Sequence, residues 1–166
     1  MKEVIDKLSS YNLFNNLLPG VIFCFFADEY LNYRLIQNDL LIGVFLYYFV
    51  GLVISRIGSL IAEPIMKFIG FIQYTNYNDY LRASNIDKKI DPLLETNNIF
   101  RSMFSLFICI LSLFLLNIVL LNFPEIKKYE NLIITIFLTT LFMASYIKQT
   151  SYIKKRIDAI KVSNEE

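Results

Sequence analysis

The chain has 166 residues, 55% of them hydrophobic and 19% charged, with a formal net charge of +1 and a mean hydropathy of +0.48. A soluble domain ordinarily carries about a quarter charged residues, so this balance points to an all-α polytopic membrane protein. With no histidine, two separated cysteines and no Walker, G-x-S-x-G or G-x-G-x-x-G motif, the sequence predicts no enzyme, cofactor or metal site.

The charged start, Met1 to Lys7, precedes an uncharged stretch from Leu8 to Ala27. It ends in Asp28–Glu29 without a small-x-small cleavage site, so it reads as a retained membrane span. Asn12, Asn15 and Asn16 make its first third polar, and Pro19–Gly20 suggests a kink. That kink reads either as a flexible gate or as the bend of an interfacial helix entering the membrane. Cys24 here, and Cys109 later, read as small buried apolar residues, with nothing to argue for a disulfide.

A second span is predicted from Leu40 to Ser55, continuing as a helix past Arg56 to Pro64. Gly51, Ser55, Gly58 and Ala62 recur at i, i+4, i+7 and i+11. Such a small-residue face lets helix backbones approach closely, within one protomer or between subunits of a homo-oligomer. Arg56 and Glu63 stand two turns apart on the same helix and form a candidate gate or charge network; the alternative is an Arg56 that snorkels to lipid phosphate. Ile65, Met66, Phe68, Ile69, Phe71 and Ile72 are expected to lie as an interfacial helix.

Asn76 to Ser84 reads as a short helix capped by Asn76 or Asn78, Ile86 to Pro92 as a polar turn, and Pro92 to Phe100 as a helix begun by Asp91. The clearest span runs from Ser102 to Pro124, and a fourth from Asn131 to Ile147. Past it, Ile153, Ile157 and Ile160 keep a helical period into the tail. On the third span Asn98, Ser102, Ser105, Cys109 and Ser112 fall along one side. Ser105, Cys109 and Ser112 are therefore candidates to line a pore or to pack against a neighbouring helix.

The resulting organisation is an N-terminal transmembrane pair over residues 1–55, a cytoplasmic helical segment over 56–101, a C-terminal pair over 102–147 and a basic tail over 148–166. The short connections, Asp28 to Asp39 and Glu125 to Glu130, imply two antiparallel hairpins. Those connections hold only Arg34, Lys127 and Lys128; every other lysine and arginine lies on the opposite side. The positive-inside rule then puts both termini and the central segment in the cytoplasm. Tyr77, Tyr80, Arg82, Lys88 and Lys89, with Lys154, Lys155 and Arg156 of the tail, interleave rings and cations. That pattern suits an anionic ligand whose bases stack, or a positive-inside bias with interfacial tyrosines.

The runs YNLFNNLLPGVIF (Tyr11 to Phe23), RIGSLIAEPIMK (Arg56 to Lys67), NYNDYLRAS (Asn76 to Ser84), NNIFRS (Asn97 to Ser102) and YIKQTSYIKKRI (Tyr146 to Ile157) span nearly the whole chain. Together they resemble small four-helix inner-membrane proteins of bacterial anti-phage defence islands. The nearest likeness is to the membrane effector of Hailong-type pairs; a second is to the small membrane proteins encoded beside some RNA-targeting CRISPR nucleases. The resemblance implies a homo-oligomeric channel or membrane-disrupting effector gated from the cytoplasm. Its partners would be the lipid bilayer, other copies of itself, and a nucleotidyltransferase or nuclease with its nucleotide product. The alternative is a non-conducting anchor that recruits a cytoplasmic partner.

Overall fold

The computed structural model describes the backbone of residues 10–31 and 33–163, and side chains over 11–31 and 33–160. Lys2, Lys7 and Leu8 lie outside the described residues, as does the side chain of Lys161. All regular structure among the described residues is helical. Helix α1 covers residues 10–31, α2 runs Leu40–Phe68, α3 Tyr77–Ile86, α4 Ile90–Asn122 and α5 Glu130–Ser163. A 3₁₀ turn, Pro124–Tyr129, joins α4 to α5.

Among the described residues, three helices are long and apolar enough to cross a membrane: Leu40–Phe68, Ile90–Asn122 and the stretch Pro124–Ile160. At 1.5 Å per residue α2 and α4 are about 44 and 50 Å long, so both overshoot a hydrocarbon core of ~30 Å. Helix α1 is not among the three. Its asparagines at one end and Asp28 and Glu29 at the other dilute an otherwise apolar run. The boundaries drawn at 55/56, 101/102 and 147/148 fall inside continuous helices. The expected interfacial helix is the last part of α2, which stops at Phe68 and turns through Gly70 at φ 80°. Asp39 caps α2, its Oδ1 accepting from the N–H of Leu41 and Ile42. Helix α4 starts at Ile90 rather than Pro92, and Asp91 accepts from the Tyr80 hydroxyl instead of capping. Asn76 stands at the N-cap of α3 but makes no side-chain cap bond.

Packing is densest where α1 crosses α2. Asn15 meets Ser55, Asn16 meets Gly51, and Gly20 meets Tyr47, so the two helices run in opposite senses. A Cβ at Gly20 would fall on the Tyr47 carbonyl oxygen, and one at Gly51 on the Asn16 carbonyl oxygen. Glycine is required here because backbone meets backbone, and Pro19–Gly20 is a tight crossing, not a loose kink. Helix α4 packs on both, through a core of Ile54, Leu106 and Ile110 flanked by Ile22, Phe23, Phe26 and Val50. Helix α5 lies on the other side of α2, with Phe142 stacked on Phe49 at 6.0 Å between ring centroids.

Both α1 and α2 contain one turn of π-helix, Leu13–Leu17 and Gly58–Ala62. Each has a proline two residues beyond its end, Pro19 and Pro64. A proline inside an α-helix clashes with the carbonyl four residues back and cannot donate to it; a π-turn widens the helix there and relieves the clash. The helix therefore continues through each proline.

Candidate functional site: a polar interior and a buried charge cluster

The two π-turns bring polar side chains into the middle of an apolar bundle. In the first, Asn15 and Asn16 are 4% and 5% exposed. Asn15 Nδ2 donates to Asn16 Oδ1 at 3.0 Å and to Ser55 Oγ at 3.3 Å, and its Oδ1 accepts from Ser102 Oγ at 2.7 Å. Asn16 Nδ2 donates to the Tyr48 hydroxyl at 3.2 Å. The result is a neutral layer that joins α1, α2 and α4 and uses the amide groups of both asparagines. Buried polar groups are tolerated on such terms, because each unmade bond would otherwise leave a desolvated donor or acceptor.

The second π-turn opens onto charge. Glu63 is 7% exposed and pairs through one oxygen with Lys67 and through the other with Arg101 of α4, each at 2.8 Å. From α5, Lys148 Nζ donates to Ser59 O at 2.6 Å and to Ser59 Oγ at 2.8 Å. The backbone explains why that carbonyl is available. In the π register Glu63 N–H bonds Gly58 O, and the next donor in line, for Ser59 O, would be residue 64. Pro64 has no N–H, so Lys148 supplies the donor from another helix. Arg56, Lys67 and Arg101 all lie close enough to repel the Lys148 charge, while Glu63 attracts it. Among the described residues the cluster thus holds one carboxylate and several cations, and the Nε atoms of Arg56 and Arg101 are buried without a hydrogen-bond partner.

The sequence-derived candidates separate against this geometry. The face of Gly51, Ser55, Gly58 and Ala62 is buried inside the chain, with a Cβ at Gly58 standing only 2.5 Å from Ser105 Oγ. Its close approach in this chain therefore joins helices of one protomer, the first of the two readings that the sequence left open. Arg56 is not ion-paired with Glu63, whose partners among the described residues are Lys67 and Arg101. The reason is the π-turn between them: its extra residue rotates the rest of the helix by about 100°, so a two-turn spacing no longer shares a face. Of the stripe on α4, Ser105 is buried and bonds the Arg101 carbonyl, Cys109 packs on the core, and Ser112 faces outward bonded to the Ile108 carbonyl. In the single chain these three do not line one continuous path.

Tyr77, Arg82 and Lys155 meet in a groove of about 650 Å³ between α3 and α5, with Asp79 and Asp158 in the same wall. Tyr80 stacks obliquely on Tyr77 at 6.3 Å. Burial and then the Asp91 carboxylate that accepts its hydroxyl push the Tyr80 phenol above its ordinary range, with Arg156 acting in the opposite sense. Lys88, Lys89 and Lys154 are exposed and lie outside this groove.

Lys67, Arg101 and Lys148 as one cluster, and Ser59 as its acceptor, went unrecognised in the sequence. The available signal was that Arg101 and Lys148 are the charges that bound the uncharged runs of α4 and α5, which places them at a membrane edge. No family model, curated protein or solved structure matches this chain.

Proposed function

We propose that this chain is a four-pass bacterial inner-membrane effector, with both termini and the charge cluster on the cytoplasmic side. Its assembled form conducts ions or perturbs the bilayer under control from that side. The observation that carries the proposal is the buried cluster itself. Charge inside a membrane bundle is costly and by default functional. Here Glu63 ties α2 to α4, and Lys148 ties α5 to α2, at the level where the segment carrying α3 leaves and rejoins the bundle. A ligand that favours one arrangement of that segment would bias all three long helices together.

The fourth pass is α1. It lies beside α2 and α4 from the level of Asn15, bonded to Ser55 and Ser102, to that of Tyr30, whose ring meets Phe114 at 6.2 Å. With α1 and α4 opposed to α2, and α5 parallel to it, the four helices form two antiparallel hairpins. One protomer encloses no wide path, so conduction needs several copies around an axis, joined through outer faces rather than the Gly51 face. The groove of Tyr77, Arg82 and Lys155 is the place for a nucleotide product of a partner enzyme. The defence role is supported by the sequence resemblance.

A second reading, a non-conducting anchor for a cytoplasmic partner, is favoured by one observation. Asn15, Asn16, Ser102 and Ser105 of the interior are bonded to one another, to neighbouring polar side chains or to their own helix, as in a sealed core. Planar-bilayer recording of purified protein, with and without the product of its genomic neighbour, separates the two. The effector reading expects current and, in cells, collapse of a membrane-potential dye signal. Confirmed insertion with no current under either condition leaves the anchor.

A further inference from the structure

A second groove, of about 600 Å³, lies between the end of α2, the turn after it and the start of the uncharged run of α4. Its wall is aromatic: Phe71, Tyr74, Phe100 and Phe104 line it, and the three phenylalanines are 74%, 69% and 46% exposed. One end is charged. Arg101 lines the groove with its Nε buried and unpartnered, and Lys67 lies 4.1 Å over the Tyr74 ring. Among the described residues the wall holds one carboxylate, Glu63, already shared between Lys67 and Arg101, so their balance is cationic.

We infer that this groove is a binding site for one anionic phospholipid, with the phosphate at the Arg101–Lys67 end and an acyl chain along Phe71, Phe100 and Phe104. Three features fit a lipid. The groove sits at the level where the charged ends of α2, α4 and α5 give way to uncharged runs, which is the headgroup level of a bilayer. Its wall is divided into an apolar flank and a cationic end, as the two parts of a phospholipid require. Its cationic surplus complements an anionic headgroup and gives a zwitterionic one little advantage. Bound there, the lipid touches both sides of the Glu63–Arg101 pair. It would act on the cluster assigned above as the control point, and in that respect the inference rests on that reading.

The test reads lipid rather than current, so it stands or falls apart from conduction. The full chain is reconstituted in nanodiscs of equal phosphatidylglycerol and phosphatidylcholine with matched acyl chains, and the lipids retained on release are counted by native mass spectrometry. Phosphatidylglycerol should be enriched about tenfold, and Lys67→Gln should reduce that about fivefold, the share of one cation near a membrane surface. Gln73→Glu, on the exposed turn in the groove wall, should do the same without touching the ion pairs. Lys127→Gln removes an equal charge beyond the other end of α4 and should leave the enrichment unchanged. Equal retention of the two lipids overturns the inference, as does an equal effect of Lys127→Gln. Displacement of the lipid by an equal concentration of glycerol phosphate would make this a soluble-phosphate site and overturn the lipid assignment.

Discussion

The two π-turns are the same backbone device with opposite contents. At Leu13–Leu17 the widened turn presents two amides that bond one another, two serines and a tyrosine, with no net charge. At Gly58–Ala62 it frees a carbonyl for a lysine and leads into a glutamate held by two cations. The neutral layer gains nothing from a change of ionic conditions and is suited to fixing which helices meet. The charged layer is poised between attraction and repulsion, so an added anion or cation can change its balance. The first region specifies the bundle, and under the proposed function the second is where a ligand would act on it.

The largest effect should come from breaking the neutral region. Gly51→Ala places a methyl on the Asn16 carbonyl, and neither backbone can yield without parting α1 from α2. A loss of about 4 kcal/mol, above the usual overpacking cost because the methyl meets backbone rather than a side chain, is expected as a large drop in thermal midpoint in detergent. The chain should lose fold rather than merely change subunit number. An unchanged midpoint with altered oligomer size would restore this face to subunit contact.

A smaller effect is expected in the charged region. Glu63→Gln keeps the shape but leaves Arg101 and Lys67 without their carboxylate. Removing one partner of a buried pair costs about 3 kcal/mol, here toward the low end because Lys67 keeps 43% of its side chain exposed. The sharper signature is salt. Wild-type stability should fall as salt screens the attraction, whereas the variant, left with repelling cations, should gain from the same salt. Parallel salt responses in both proteins would mean that the cluster is not electrostatically poised.

The long helices were legible because an uncharged run bounded by Arg101 or Lys148 marks a stretch apolar enough to cross a membrane, although each helix continues past that charge. The use of Asn15 was half legible: an amide in such a run demands a partner, but nothing local says that the partners are Ser55 and Ser102. The π-turns were not legible from periodicity, which assumes one register from end to end. Arg56 and Glu63 fail to pair for that reason, since one extra residue in the turn moves every later side chain to a new face. The small-residue face was visible as a place of close approach, but the sequence does not say whose backbone approaches. The ring-and-cation pattern grouped Lys88, Lys89 and Lys154 with Tyr77, Arg82 and Lys155; the structure brings only the last three into one groove, because linear proximity to a turn does not aim a side chain into it.

The smallest expected effect tests the backbone logic directly. If Lys148 is in the interior because Pro64 leaves Ser59 O without its donor, the two residues should be energetically coupled although they belong to different helices. Lys148→Met keeps most of the side-chain volume, removes the amine and leaves a buried carbonyl unpaired, a loss of about 1–2 kcal/mol. Pro64→Ala returns an N–H to the position that the π register directs at Ser59 O, or lets the turn relax to an α register in which Glu63 N–H takes that role. In either case the carbonyl has a backbone donor. Lys148→Met should then cost markedly less in the Pro64→Ala background than in the wild type, a positive coupling measured by a double-mutant cycle of unfolding in detergent. Additive costs would mean that Lys148 is held there by Glu63 and the Ser59 hydroxyl alone. Glu63→Gln in the same cycle separates those contributions, because it removes the attraction of the carboxylate without altering what the proline does to the helix.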